Sequence, residues 1–170
     1  NQWRDILKKY KTPDEVRAIL SSKNFMLNDV EYVFRENTKF SDTNTLVLWS
    51  YYLNGFHSGK GLFVLVDIQP IKTFNDPEYG KIIVYDIFEV DPDSYCSSCK
   101  KTEVSVSTNC DQNYKESIIC VYSYSDRKIY KAWHINQNGP SFEKVSDLNN
   151  IHFNPYEGSG DEYWDYDIEV

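Results

Sequence analysis

Apolar and polar positions alternate along the central part of the chain. Residues 45–90 carry the strongest pattern, and three consecutive strands are predicted there: Thr45–Asn54, Gly61–Gln69 and Gly80–Val90. Each is rich in Val, Ile, Leu, Tyr and Phe, which suit a pleated, packed surface. Gly, Asn and Pro punctuate the gaps at 54–60 and 70–79, as turn residues do. Neither gap holds a helical pattern long enough for a crossover, so neighbouring strands are expected to pair antiparallel. Trp49, Tyr51 and Leu53 share one face of their strand and Leu46, Leu48 and Tyr52 the other. With both faces apolar, this wall needs helices on one side and a core or cavity on the other.

The flanking pattern fills in the rest. Trp3, Ile6, Leu7 and Tyr10 recur at helical spacing. Thr12-Pro13-Asp14-Glu15 is a helix start: Thr12 caps, Pro13 suits the first helical position and Glu15 closes a capping box. That helix runs over Asp14–Ser22. Phe25–Glu36 reads as the first strand, with Asp29 and Glu31 sharing a face with Leu27 and Val33. After a loop over Asp91–Lys101 come strands at Thr102–Thr108, Glu116–Tyr124 and Lys128–Ile135, the last two as a hairpin, with a turn at Asn109–Lys115. Phe142–Asn150 is predicted as a short last helix. Seven strands with room for an eighth, in up-and-down order, point to an all-β sheet that closes on itself, because closure removes exposed edges. An eight-stranded barrel has room for one small ligand. Residues 1–155 are expected to form one domain and residues 156–170 an acidic tail.

Composition narrows the class. The chain has 170 residues, 41% hydrophobic and 26% charged, too apolar for disorder. No run is long enough to span a membrane as a helix. A formal net charge of −8 argues against nucleic acid or an anionic membrane as partner and favours a cationic one. Aromatics reach 16%, with 14 Tyr and 4 Trp, residues that offer a π-face and a polar tip together. The cysteines Cys96, Cys99, Cys110 and Cys120 are even in number and clustered, which fits disulfides in a secreted, extracellular protein; four cysteines allow three pairings. The chain opens at Asn1 without Met and reads as a processed form, with no Asn-x-Ser/Thr acceptor for N-glycosylation.

Candidate chemistry is sparse. The three histidines, His57, His134 and His152, fall in no metal or nucleophile motif. Cys96-Ser97-Ser98-Cys99 matches a redox spacing, yet it leads into a strand, without the helix N-terminus that activates a thiol. A four-thiolate zinc site is disfavoured because Cys110 and Cys120 stand ten apart. More informative are acids inside apolar strand patterns: Asp67 after Phe63 and Leu65, Asp86 between Val84 and Phe88, and the pair Asp29 and Glu31. A carboxylate facing an apolar interior needs a partner, and in an aromatic barrel that partner can be a ligand ammonium, with a desolvated cation–π contact contributing roughly 2 kcal/mol. The tail residues Tyr163 and Tyr166, set among acids, are candidates for sulfation and for binding a basic protein.

Three places in the sequence resemble the salivary lipocalins of ticks, the histamine-binding-protein family. They are Trp3 with its helical lead-in; Phe34-Arg35-Glu36-Asn37 followed by Phe40; and Cys120-Val121-Tyr122 with Tyr130-Lys131-Ala132-Trp133, Asn138 and Pro140. The likeness spans Trp3 to Phe142. It implies an eight-stranded antiparallel up-and-down lipocalin barrel with N-terminal helices and a short C-terminal helix. The departures are specific. The family's amine-binding members have Asp after the hairpin cysteine where this chain has Val121, and Glu-Leu before the aromatic where it has Lys131-Ala132 before Trp133. The family's second-strand and C-terminal cysteines are also missing.

The resemblance implies a secreted, anti-inflammatory binding protein of tick saliva that sequesters a host biogenic amine, histamine or serotonin, at the feeding site. It implies a monomer, no catalysis and no cofactor or metal. Amine binding would use Glu36, Glu78 and Asp86, with Phe34, Phe40, Trp49 and Trp133 as aromatic partners. The alternatives are a lipid mediator, leukotriene or fatty acid, whose carboxylate would call on Lys131 or Arg35, and a filled barrel acting as a protein-interaction scaffold.

Overall fold

The fold is that of a computed structural model, which describes residues 2–10, 12–33, 45–69, 81–96, 104–112, 117–123, 128–136 and 139–153. Two helices lead, α1 (Gln2–Leu7) and α2 (Pro13–Ser22). Thr12 caps α2 as its sequence predicts: its hydroxyl accepts the Glu15 N–H and donates to the Glu15 carboxylate. Nine strands follow: β1 (Phe25–Tyr32), β2 (Thr45–Leu53), β3 (Gly61–Gln69), β4 (Lys81–Val90), β5 (Val104–Gln112), β6 (Ser117–Ser123), β7 (Ile129–Asn136), β8 (Ser141–Lys144) and β9 (Ile151–Phe153). No helix among the described residues is long and apolar enough to cross a membrane.

The strands form two antiparallel sheets, ordered β1-β2-β3-β4 and β8-β7-β6-β5-β9. The all-β, up-and-down character predicted from the sequence is present in both. The closed barrel is not: no ladder joins the two sheets among the described residues. The predicted last helix is also replaced. Ser141–Lys144 pairs with β7, and only Leu148–Asn150 turns as a 3-10 helix. Phe142 alternates with polar neighbours there, and four residues beside a waiting strand edge gain more from pairing than from an isolated helical turn. The turn predicted at Asn109–Lys115 is shorter, because β5 continues to Gln112 and pairs with β9.

Packing follows from the two apolar faces of β2 and β3. Val47, Trp49 and Tyr51 join Leu62, Val64, Val66 and Ile68 in a core covered by Leu7 of α1 and by Val16 and Leu20 of α2. The opposite faces supply Leu48, Tyr52 and Phe63, which share a second core with Val104 and Val106 of β5 and Ile119 and Val121 of β6. The two sheets therefore face each other across one apolar layer. A third cluster, with Ile118, Cys120, Ala132 and Ile151, fills the outer face of the second sheet. The Cys110–Cys120 disulfide joins β5 to β6 within it. Cys96 is disulfide-bonded as well, to a partner outside the described residues.

Two bulges re-aim side chains. Asn28 is the extra residue between Leu27 and Asp29 opposite β2, so Leu27 packs toward the helices while Asp29 and Glu31 pair with Ser50 and Leu48 on the inter-sheet face. The sequence period puts Leu27 on the acids' face; the bulge takes it off. Tyr85 is the extra residue between Val84 and Asp86 opposite β3. Asp86 is thereby freed from the face of Ile82 and Val84 and becomes the seam between sheets. Its Oδ2 accepts the Phe142 N–H of β8 at 2.8 Å, and its Oδ1 accepts the Ile87 N–H and an Arg4 guanidinium N–H from α1 at 3.0 Å.

Removing the Asp86 carboxylate leaves the part-buried Phe142 amide short of an acceptor, and an orphaned donor costs about 1–3 kcal/mol. Asp86→Ala is expected to lower the unfolding free energy in urea by about that amount. Arg4→Ala, which removes only the half-exposed partner, should cost under about 1 kcal/mol. Equal losses from the two substitutions would mean that the ion pair, not the amide clasp, holds the seam.

Candidate functional site

Beside β7 and β8 lies a pocket of about 540 Å³, within the range of small-ligand sites, whose apolar residues Val145 and Leu148 pack with the outer-face cluster. Its residues come from three places. β7 supplies Tyr130 and Lys131, with Tyr130 as the extra residue of a bulge opposite β6. β8 and the chain after it supply Lys144, Val145, Ser146 and Leu148. The Val145 N–H extends the ladder by donating to the Ala132 carbonyl at 2.9 Å, which holds this segment against β7. Tyr95 closes the third side. It follows a tight turn over Pro92–Ser94, where the Asp91 carboxylate accepts the Asp93 N–H and the Tyr95 N–H donates to the Pro92 carbonyl.

The register fixes which way the lysines point. Lys131 lies opposite Val121, and Lys144 opposite Trp133, so all four stand on the inter-sheet side of their strands. The Lys131 Nζ lies 5.8 Å from the Tyr95 ring centroid and 5.9 Å from that of Trp133. Lys128 extends over the Tyr130 ring at 5.0 Å. Lys131 and Lys144 line the same pocket, and the Lys131 pKa is lowered, first by neighbouring Lys144 and then by burial. Burial, and then the charge of Asp91, raise the Tyr95 phenol. No carboxylate is among the pocket's described lining residues. The pocket is thus basic and aromatic, with apolar contacts from Val145 and Leu148.

A second concentration of charge lies on the first sheet. Asp29 and Glu31 face inward beside Tyr52, whose phenol is pushed far up by burial and then by these two carboxylates. The His57 ring stacks on Tyr52 with centroids 4.2 Å apart, and His57 also bridges to β5: the Val106 N–H donates to its carbonyl at 3.0 Å. Ser50, 1% exposed and opposite Asp29, has no hydrogen-bond partner for its hydroxyl. Further along the same inward face of β3, Asp67 is buried and accepts the Tyr85 hydroxyl at 3.2 Å.

The sequence-predicted ligand residues fare unevenly. Phe34, Glu36, Phe40 and Glu78 lie outside the described residues. Trp49 is buried in the core beneath the helices, because the odd positions of β2 face that way. Asp86 faces inward, but three N–H donors already occupy it, which leaves little of its carboxylate for an ammonium. Trp133 does stand on the inter-sheet face, packed on Phe88 with ring centroids 5.0 Å apart, and Phe88 meets Phe142 at 4.7 Å. Lys131, named for a lipid carboxylate, lines the pocket. Lys144, Tyr95 and Tyr130 were not singled out. Lys144 could be found only through its register with Trp133, and Tyr95 only through the fold of the turn before it. Among the described residues no three His, Cys, Asp or Glu side chains converge as a metal site.

No family model matches the chain, and no curated protein or solved structure matches it either.

The tyrosines set an alkaline limit. Tyr51, buried under α2, has its phenol raised to about 12 by burial, partly opposed by the charge and hydrogen bond of Arg17. A phenol with a folded pKa above the unfolded value of about 10 leaves stability intact below pH 10. That stability is lost as pH climbs from about 10 through about 12, by about 2–3 kcal/mol for Tyr51 alone. Urea midpoints measured from pH 8 to 11 should stay level to about pH 10 and then fall, and Tyr51→Phe should flatten the fall.

Proposed function

We propose that this chain sequesters a small amphipathic anion, an apolar body with a carboxylate head, in the pocket formed by Tyr95, Tyr130, Lys131 and Lys144. One observation carries the reading: two lysines line one aromatic pocket, with no acid among its described lining residues. Two neighbouring ammonium groups repel, and each has only donors to offer. A carboxylate between them would accept from both and cancel the repulsion, while its tail lies against the tyrosine rings and the apolar side chains of Val145 and Leu148. Charge-assisted hydrogen bonds of this kind are about twice as strong as neutral ones.

The resemblance to tick salivary lipocalins supports the same direction. Two positions before the hairpin aromatic, where amine-binding members carry Glu, this chain has Lys131. The exchange reverses the charge that would meet an ammonium. On this reading the protein is a secreted, non-catalytic trap for a lipid mediator of the fatty-acid or leukotriene type. Its strands β1–β8 would be the wall of an eight-stranded lipocalin barrel. The consecutive order of β1–β4 in one sheet and of β5–β8 in the other, and the apolar layer shared by both, support that architecture.

Amine binding keeps one specific support, the inward pair Asp29 and Glu31 beside Tyr52 and the unpartnered Ser50 hydroxyl. It would use the first sheet rather than the basic pocket, and different acids from those the sequence pattern singles out.

Calorimetric titration separates the readings. A fatty acid and a leukotriene are expected to bind, and Lys131→Met should weaken them roughly tenfold, about 1.4 kcal/mol. Histamine or serotonin binding that is lost in Glu31→Gln and unchanged in Lys131→Met would move the site to the first sheet. Silence from every ligand would overturn the sequestration reading.

A further inference from the structure

We propose that the pocket beside β7 and β8 is a docking site for this chain's own acidic tail, residues 157–170, which competes there with any bound ligand. Charge is spread unevenly along the sequence. Glu157, Asp161, Glu162, Asp165, Asp167 and Glu169 give the tail a charge of −6, with no Lys, Arg or His to offset it. The whole chain has 26 acids and 18 Lys and Arg, so residues 1–156 hold 20 acids against 18 bases and carry only −2. Most of the net charge thus sits on one short segment, interleaved with Tyr163, Trp164 and Tyr166.

The pocket presents the complementary chemistry. Lys131 and Lys144 line it together with Tyr95, Tyr130, Val145 and Leu148. The Lys131 Nζ lies 5.8 Å from the Tyr95 ring centroid and 5.9 Å from that of Trp133, and an aromatic face steadies an ammonium without cancelling its charge. Three acids stand on the elements around the pocket, each tied to its own turn or strand. The Asp91 carboxylate accepts the Asp93 N–H, and the Asp147 carboxylate accepts the Asn149 N–H. Glu143 accepts from the Asn136 amide at 2.7 Å and lies 3.3 Å from the His134 ring, on the other face of β8 from Lys144. The tail also has the reach. Phe153 ends β9, four strand spacings from β8 in the sheet order, a crossing of roughly 19 Å. Asp165 is twelve residues beyond Phe153, and an extended chain of that length covers roughly 40 Å. A segment tethered this way has an effective concentration on the order of millimolar. At micromolar protein that favours the chain's own tail over the tail of a second copy. Its carboxylates would meet the lysines, and its aromatic rings the tyrosines, Val145 and Leu148.

The test uses the whole chain, dilute and at low salt, with a water-soluble carbodiimide, which joins a Lys amine to a carboxylate only where the two touch. Peptide mass mapping locates each bond. Lys131 or Lys144 is expected to be joined to an acid between residues 161 and 169 at least about fivefold more often than the exposed Lys23 or Lys81. High salt should suppress the bond, because it screens exposed charges. The combined variant Asp161→Asn, Glu162→Gln, Asp165→Asn and Asp167→Asn keeps the chain length and should lose most of the bond. Tail acids joined to Lys23 or Lys81 as often as to the pocket lysines overturn the proposal. So do bonds found only between two chains, which would make the pocket an interface between copies. Docking needs the pocket but no ligand, so fatty-acid titration scores the sequestration reading separately. A fatty acid that binds should bind at least about threefold more tightly to the amide variant, and equal affinity for the two proteins overturns tail docking. Silence from the fatty acid with the pocket bond present removes the ligand and keeps the tail.

Discussion

A sheet that is apolar on both faces has to be covered on both. β2 and β3 place Trp49, Tyr51, Leu62 and Val64 on one side and Leu48, Tyr52 and Phe63 on the other, all buried. Leaving either side in water would forfeit about 1.5–3 kcal/mol for each large side chain. The two short helices cover one side, anchored by Leu7, Val16 and Leu20. The second sheet covers the other.

Joining two sheets across an apolar layer raises a second problem, since edge strands carry backbone groups that need partners. Here the β4 bulge solves it with a side chain. Tyr85 and Asp86 both turn inward. The Tyr85 hydroxyl meets Asp67, while the Asp86 carboxylate accepts from β8, from its own strand and from α1. An acid that looks from the sequence like a ligand for a cation is therefore a structural clasp.

The pocket beside β7 and β8 has the opposite electrostatics. The chain is acidic overall, at −8, yet the pocket gathers Lys131 and Lys144 with no acid among its described lining residues. Net charge governs long-range encounter, but a bound ligand responds to the groups it touches. A cationic partner suggested by the overall charge and an anionic one suggested by the pocket are therefore compatible statements about different distances.

Much of the architecture was legible in the sequence. The period-two patterns mark β2 and β3 almost to the residue, and the Thr12 capping box places the start of α2. These signals are local, set by neighbouring residues on one element. The even, clustered cysteines likewise announced disulfides, although not which pairs. What the sequence could not show depends on register and on contacts distant in the chain. A single extra residue at Asn28 moves Leu27 away from Asp29 and Glu31, and another at Tyr85 turns Asp86 from a prospective ligand group into the clasp. Phe142 joins a strand because β7 offers it an edge. Lys144 comes to line the same pocket as Lys131 because Trp133 pairs with it across the β7–β8 ladder. Alternation along one strand determines which residues can share a face. Whether that face meets a helix, a second sheet or a ligand is decided by the strands beside it, and those are chosen by the whole chain at once.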